Sequence, residues 1–186
     1  YDINKVIFKT EIKNLELIPA NIQLAGAEIE LTNTKFREKT LKEKINLIEN
    51  KYDFIMVDCP PSLGLLSLNA LTASNTVLIP IQCEYYSLEG VGQLIDTVKL
   101  VKKNLNPKLE IEGVILNMFD GRTNLSIQVV EEVKKYFKDK VYRTVIPRSV
   151  RLAEAPSFGQ PIMLYDDKSK GSIAYIKLSE ELIKNN

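Results

Sequence analysis

Tyr52-Asp53-Phe54-Ile55-Met56-Val57-Asp58-Cys59-Pro60-Pro61-Ser62-Leu63-Gly64 is the stretch that decides how this chain is read. Four apolar residues, Phe54 to Val57, run straight into one carboxylate, Asp58. A continuous apolar run rich in strand formers predicts a strand buried on both faces. Such strands belong to parallel sheets covered by helices, where ligands bind beyond the carboxyl ends of the strands. Asp58 would then point into a crevice. Pro60 and Pro61 cannot continue a central ladder, so the chain must leave the sheet there. An acid held at a strand end before a stiff turn suits a magnesium–phosphate site. A surface aspartate before a turn fits the same letters.

Outward from this stretch, strand and helix patterns alternate. Glu16–Ile18 predicts a short strand ending at Pro19, and Gly26–Leu31 a short helix or turn. Leu41, Ile45 and Ile48 are spaced for one helix face. Leu63–Ala73 predicts a helix, with Ser62 as a candidate cap. Thr76–Ile81 is a second apolar strand, with Pro80 marking an end or bend. Ser87–Leu105 is the clearest helix, with Leu88, Val91, Ile95, Val98 and Val101 in one stripe. Ile111–Met118 and Val141–Ile146 predict two more strands, separated by a helix over Ser126–Phe137 carrying Ile127, Val130, Val133 and Phe137. Arg148–Tyr165 is a long connection. A closing helix over Ser169–Lys184 turns Ile173, Ile176 and Ile183 inward. The alternation predicts an α/β fold with a parallel sheet and helices on both faces, in a single domain over residues 1–186.

Composition narrows the function classes. The chain has 186 residues, 45% hydrophobic and 26% charged, enough for one well-buried core. No uncharged apolar stretch is long enough to span a bilayer. Without histidine, and with Cys59 and Cys83 far apart, the sequence offers no zinc-ligand spacing. The formal charge of +1 hides an asymmetry: residues 122–151 hold 8 Lys/Arg against 3 Asp/Glu. That excess suits either a basic binding surface or a solvated face.

Longer motifs then carry a resemblance. I-P-A-N-I-Q-L-A-G-A-E-I-E-L, D-C-P-P-S-L-G-L-L-S-L-N-A-L-T-A-S, L-I-P-I-Q-C-E-Y-Y-S-L-E-G, F-D-G-R-T-N-L-S and I-P-R-S-V-R-L-A-E-A-P-S-F-G-Q-P-I occur in this order. Together they resemble the ParA/Soj chromosome-partitioning ATPases along essentially the whole chain. The resemblance implies a P-loop NTPase fold and an ATP- and Mg²⁺-dependent homodimer. It also implies non-specific DNA binding, a ParB-type partner that stimulates hydrolysis, and a cytoplasmic, nucleoid-associated protein that moves chromosome or plasmid origins. The C-terminus lacks the basic amphipathic tail of a MinD-type membrane anchor, so no membrane partner is expected.

One departure matters. The family's Gly-Lys phosphate loop, whose backbone N–H groups and lysine cradle the phosphates, has no counterpart here, because the sequence contains no Gly-Lys dipeptide. The expectation is therefore a C-terminal portion of such an ATPase, lacking the N-terminal P-loop strand and inactive in hydrolysis by itself. The alternative is a non-catalytic ParA-like module that acts through DNA or protein contact.

The resemblance also assigns residues. Asp58 matches the acid that assists Mg²⁺ through water, and Pro60, Pro61 and Gly64 match a switch segment. Asn117 and the Pro147-Arg148-Ser149 loop match the adenine site, although Ser149 replaces the family's Asn. Arg122 and Arg151 match two DNA-contacting arginines, with Lys134, Lys135, Lys138 and Lys140 nearby in sequence. Glu84, Tyr85 and Tyr86 match a region around the nucleotide and dimer interface. Cys59 reads as a packed thiol, because no base activates it.

Overall fold

The computed structural model describes residues 2–60, 62, 64–84 and 87–186, and of Leu88 and Glu89 the backbone alone. The expectations for Pro61, Tyr85, Tyr86 and the Leu88 side chain, and the helix start at Leu63, lie outside the described residues. The chain divides into two compact units, residues 1–75 with 97–109, and residues 76–96 with 110–186.

The first unit holds a two-residue antiparallel pair, β1 (Phe8–Lys9) and β2 (Glu16–Leu17), followed by α1 (Leu24–Leu31), α2 (Thr40–Ile45) and α3 (Leu65–Ala73). Its polar interior is organised by amides. Asn69, buried on α3, donates to the carbonyls of Arg37 and Leu65 and accepts from the Leu41 N–H at 3.1 Å. Buried Asn106 donates to the carbonyls of Leu71 and Ser74 at 3.1 and 2.7 Å, satisfying acceptors that the end of α3 leaves open.

Two expectations fail in this unit. Residues 54–60 form no strand and are exposed. Phe54, Ile55, Met56 and Val57 are 49, 39, 76 and 37% exposed. A strand exists only where a neighbour takes up its backbone N–H and C=O groups, and among the described residues no strand pairs with this run. Ser62 does not cap α3. Gly64 is the N-cap residue, and the capping oxygen comes from Glu28 on α1, which accepts from the Leu66 N–H at 3.2 Å. A Cβ at position 64 would meet that carboxylate at 2.3 Å, so a larger residue there would push the Glu28 side chain off the Leu66 N–H.

The second unit is built on a three-stranded parallel sheet, β3 (Thr76–Gln82), β4 (Glu110–Phe119) and β5 (Val141–Pro147), in that order across the sheet. Between the strands run α4 (Ser87–Asn104), whose residues from Thr97 belong to the first unit, and α5 (Asn124–Phe137). After β5 come two short helices, α6 (Val150–Glu154) and α7 (Ile162–Tyr165), in place of the expected plain connection, and then α8 (Lys170–Asn185).

Side-chain alternation sorts the sheet into two covered faces. Ile79, Ile81, Val114 and Leu116 pack with Ile95 of α4 and with Val129, Val133 and Phe137 of α5. Leu78, Ile115, Tyr142 and Ile146 pack with Ala174, Leu178 and Leu182 of α8. The expected parallel sheet with helices on both faces is therefore present. The expected α5 stripe holds at Val130, Val133 and Phe137 and departs at Ile127, while the α8 stripe is shifted. On α5 the buried line includes Val129 while Ile127 is 42% exposed, and on α8 it runs through Ala174 and Leu178 while Ile173, Ile176 and Ile183 face outward. Pro80 does not end β3, because pairing with β4 continues to Gln82. β3 is the outer strand of this sheet, where a missing N–H costs no ladder bond. Gly113 in β4 lets the Tyr142 ring lie across the strand; a Cβ there would stand 2.4 Å from Tyr142 Cε2.

Candidate functional site

In the second unit the carboxyl ends of the three strands come together. Gln82 pairs with Asn117, and Phe119 with Pro147. Beyond the ladder, the Cys83 N–H donates to the Asn117 carbonyl at 2.9 Å, and the Arg148 N–H donates to the Phe119 carbonyl at 3.0 Å. Asn117, Pro147 and Arg148 are thereby held at one end of the sheet. Ser149 stands next to them as the N-cap residue of α6, with no side-chain capping bond.

The Asn117 side chain has a defined orientation. Its Oδ1 accepts from the Met118 N–H at 2.9 Å, and an N–H can bond only to the oxygen of the amide. The NH₂ end is therefore the one that a ligand can use. Met118 takes a left-handed backbone, φ 53°, which turns the chain just after the strand. Nothing in the local residues announces this turn.

β4 leads into a rigid loop. Asp120 Oδ1 accepts from the Arg122 N–H at 3.1 Å, and the Asp120 carbonyl accepts from Thr123 N–H at 3.1 Å. Thr123 Oγ1 then caps α5, accepting from Ser126 N–H at 3.3 Å. Arg122 projects from this loop with its side chain 88% exposed, and Nε and Nη2 donate to the two oxygens of Asp120 at 2.9 and 2.7 Å. Those side-chain bonds and the backbone N–H hold the Asp120 carboxyl far below the usual carboxylate range. Lys134, Lys135, Lys138 and Lys140 are exposed along α5 and just after it.

Two further arginines carry acidic partners. Arg148 pairs with Glu84 from the end of β3. Arg151 on α6 donates through Nη1 to Glu154 at 3.0 Å, and its Nε lies 3.3 Å from Asp166. Tyr165 donates its hydroxyl to the same Glu154 oxygen and stacks on Phe158 at 5.0 Å. Sequence reasoning missed these pairings. Only Asp120–Arg122 and Arg151–Glu154 join residues close enough in the chain to have suggested them.

Asp58, Cys59 and Pro60 belong to the first unit and are all exposed. Cys59 is exposed rather than packed as expected, and its thiol is pushed up by the desolvation of nearby protein atoms and by the neighbouring Asp58 charge. Among the described residues no group of three or more His, Cys, Asp or Glu side chains is placed to hold a metal ion. One accessible carboxylate fits a magnesium that keeps most of its shell as phosphate oxygens and water. Among the same residues no helix is long and apolar enough to cross a membrane.

Comparison with known proteins adds an independent line. Residues 1–111 match a family described as AAA domain. The chain is similar to the sporulation initiation inhibitor protein Soj of Bacillus subtilis, 60% identical over 99% of this chain and 73% of that protein. It is 53% identical to the chromosome partitioning protein ParA of Myxococcus xanthus, over 98% of this chain and 64% of that one. Among solved structures, it is similar to cobyrinic acid a,c-diamide synthase from Mycobacterium smegmatis with bound ATP analog and magnesium. That match has a TM-score of 0.83 at 34% identity, over 99% of this chain and 68% of the other.

Proposed function

We infer, from the premise that this chain belongs to the Soj/ParA family of chromosome-partitioning ATPases, that it carries the base-holding and DNA-facing parts of an ATP-dependent partitioning protein. The observation that supports this most is the shared edge of the second unit. There the free NH₂ of Asn117 stands with Pro147 and Arg148, and the next loop presents the 88% exposed Arg122 side chain.

Each residue has a role set by its chemistry. The Asn117 NH₂ donates to an adenine ring nitrogen. Pro147 offers a flat apolar surface and a carbonyl to the base, and Ser149 a hydroxyl. Arg148 stands ready for a ribose or phosphate oxygen once Glu84 releases it. Pro60 stiffens the segment after Asp58, through which the nucleotide state is sensed. Magnesium, when bound with ATP, neutralises phosphate charge, and Asp58 would hold it through water. Arg122 and Arg151, with the nearby lysines, contact DNA phosphate, which gives affinity without sequence reading. A homodimer and a ParB-type partner that stimulates hydrolysis complete the proposal, on the strength of family membership alone.

Charge reversal at Arg122 tests the DNA-facing part. In the complete protein carrying this chain, Arg122→Glu is expected to weaken binding to every duplex sequence alike. It should also flatten the dependence of log K on log salt by about one contact. Unchanged retention on non-specific DNA at low salt would overturn the assignment.

A further inference from the structure

The two arginines assigned to DNA share a feature that the assignment does not require: each already holds a carboxylate from its own chain. A guanidinium has five N–H donors in a planar fork, and the parallel pair formed by Nε and one Nη matches an anionic oxygen pair two-to-two. At Arg122 that pair is taken by the two oxygens of Asp120, at 2.9 and 2.7 Å. At Arg151 two acids divide the fork, Glu154 on Nη1 at 3.0 Å and Asp166 beside Nε at 3.3 Å. On its Nε–Nη2 edge Arg122 cannot take a phosphate without first displacing Asp120, and a phosphate on the remaining Nη1–Nη2 edge would sit beside the same carboxylate charge.

We propose that Asp120 and Glu154 are affinity-setting residues that stand in for phosphate on Arg122 and Arg151 and hold non-specific DNA binding below what the arginines alone would give. The proposal rests on the reading of those arginines as DNA contacts. The Asp120 mask is built in rather than incidental. Its Oδ1 also accepts the Arg122 backbone N–H at 3.1 Å, and its side chain is only 18% exposed while that of Arg122 is 88% exposed. The acid is thus anchored in the loop while the arginine reaches outward. Protonation does not lift the mask near neutral pH, because the same bonds keep the Asp120 carboxyl ionised far into acid. The physical benefit is reversibility: a protein that must travel over DNA needs phosphate contacts weak enough to exchange.

Asp120→Asn is the informative variant. The amide oxygen can still accept the Arg122 N–H, so the loop and the α5 cap persist, while the charge opposing phosphate is gone. The complete protein would be titrated with Mg-ATP against a fluorescent duplex of arbitrary sequence and a scrambled one, from about 50 to 200 mM salt. Asp120→Asn, Glu154→Gln, Arg122→Ala and the Asp120→Asn/Arg122→Ala double variant would be compared with wild type. The expected result for Asp120→Asn is a salt slope steeper by about 0.9, equivalent to roughly a threefold change in affinity over that range. It should be tighter at low salt on both duplexes, with the gain abolished in the double variant; Glu154→Gln should shift in the same direction. If Asp120→Asn leaves affinity unchanged or lowers it while Arg122→Ala weakens binding, the masking role is wrong and the DNA reading survives. If Arg122→Ala also binds as wild type, the DNA reading itself falls.

Discussion

Two apolar runs in this chain look alike and end differently. Phe54-Ile55-Met56-Val57 and Val77-Leu78-Ile79 are both continuous, both rich in strand formers, and both lie shortly before a proline. The second becomes part of β3, where Ile79 and Ile81 are 2 and 1% exposed. The first forms no strand, with Met56 at 76% exposed. Hydrophobicity is the same; the ladder is not. β3 has β4 beside it over its whole length, so its polar backbone and its side chains are satisfied together. Composition tells that a run wants burial, and pairing decides whether it gets it.

The sharpest way to break this comparison is to truncate one residue of β3 and one of the Phe54–Val57 run. Ile81→Ala is expected to cost about 2–5 kcal/mol, the range for removing most of a buried aliphatic side chain. Met56→Ala should lie within about 0.5 kcal/mol of wild type, as exposed substitutions do. Denaturant unfolding of both variants decides it. A Met56 cost approaching that of Ile81 would mean the first run is buried after all.

A smaller effect sharpens the backbone side of the same contrast. Pairing between β4 and β5 shifts register between Val114 and Leu116, and there the N–H groups of Arg143 and Thr144 are taken by Glu181 of α8, at 2.7 and 3.0 Å. Burial pushes the Glu181 carboxyl up, but the two N–H donors and the Arg143 charge outweigh it, and the net shift is downward from 4.5. A carboxyl lowered in the folded state adds stability above its unfolded value and loses it as pH falls through the folded one. Glu181→Ala should therefore cost about 1–2 kcal/mol near neutrality. The gap from wild type should close as the pH is taken below 4.5. A gap independent of pH would show that the side chain acts through packing alone.

The same contrast explains what the sequence could and could not disclose. The strands β3, β4 and β5 were legible, because their apolar runs are local signals. Asn117 and Pro147 were legible as strand ends, and register then brought them to one edge. The α5 stripe was legible at Val130, Val133 and Phe137 and misplaced only at Ile127, whereas the α8 stripe was misread, since Ile173 satisfies the helical period as well as Ala174 does. Glu28 over the start of α3, Glu84 with Arg148, and Glu181 on β5 were illegible. Each joins residues tens of positions apart, and no periodicity carries a partner's address. The Asp58 run was misread for that reason: its letters describe a strand without naming its neighbour.

The central claim is that the strand-end edge holds an adenine through the Asn117 amide, and calorimetric titration of the complete protein with ATP and GTP tests it most directly. Asn117→Asp keeps an oxygen for the Met118 N–H and removes the NH₂ donor. The account predicts that ATP affinity falls roughly tenfold, as when a paired polar contact is left unmade, while GTP binding does not weaken in parallel. An ATP dissociation constant equal to that of the wild type would contradict it.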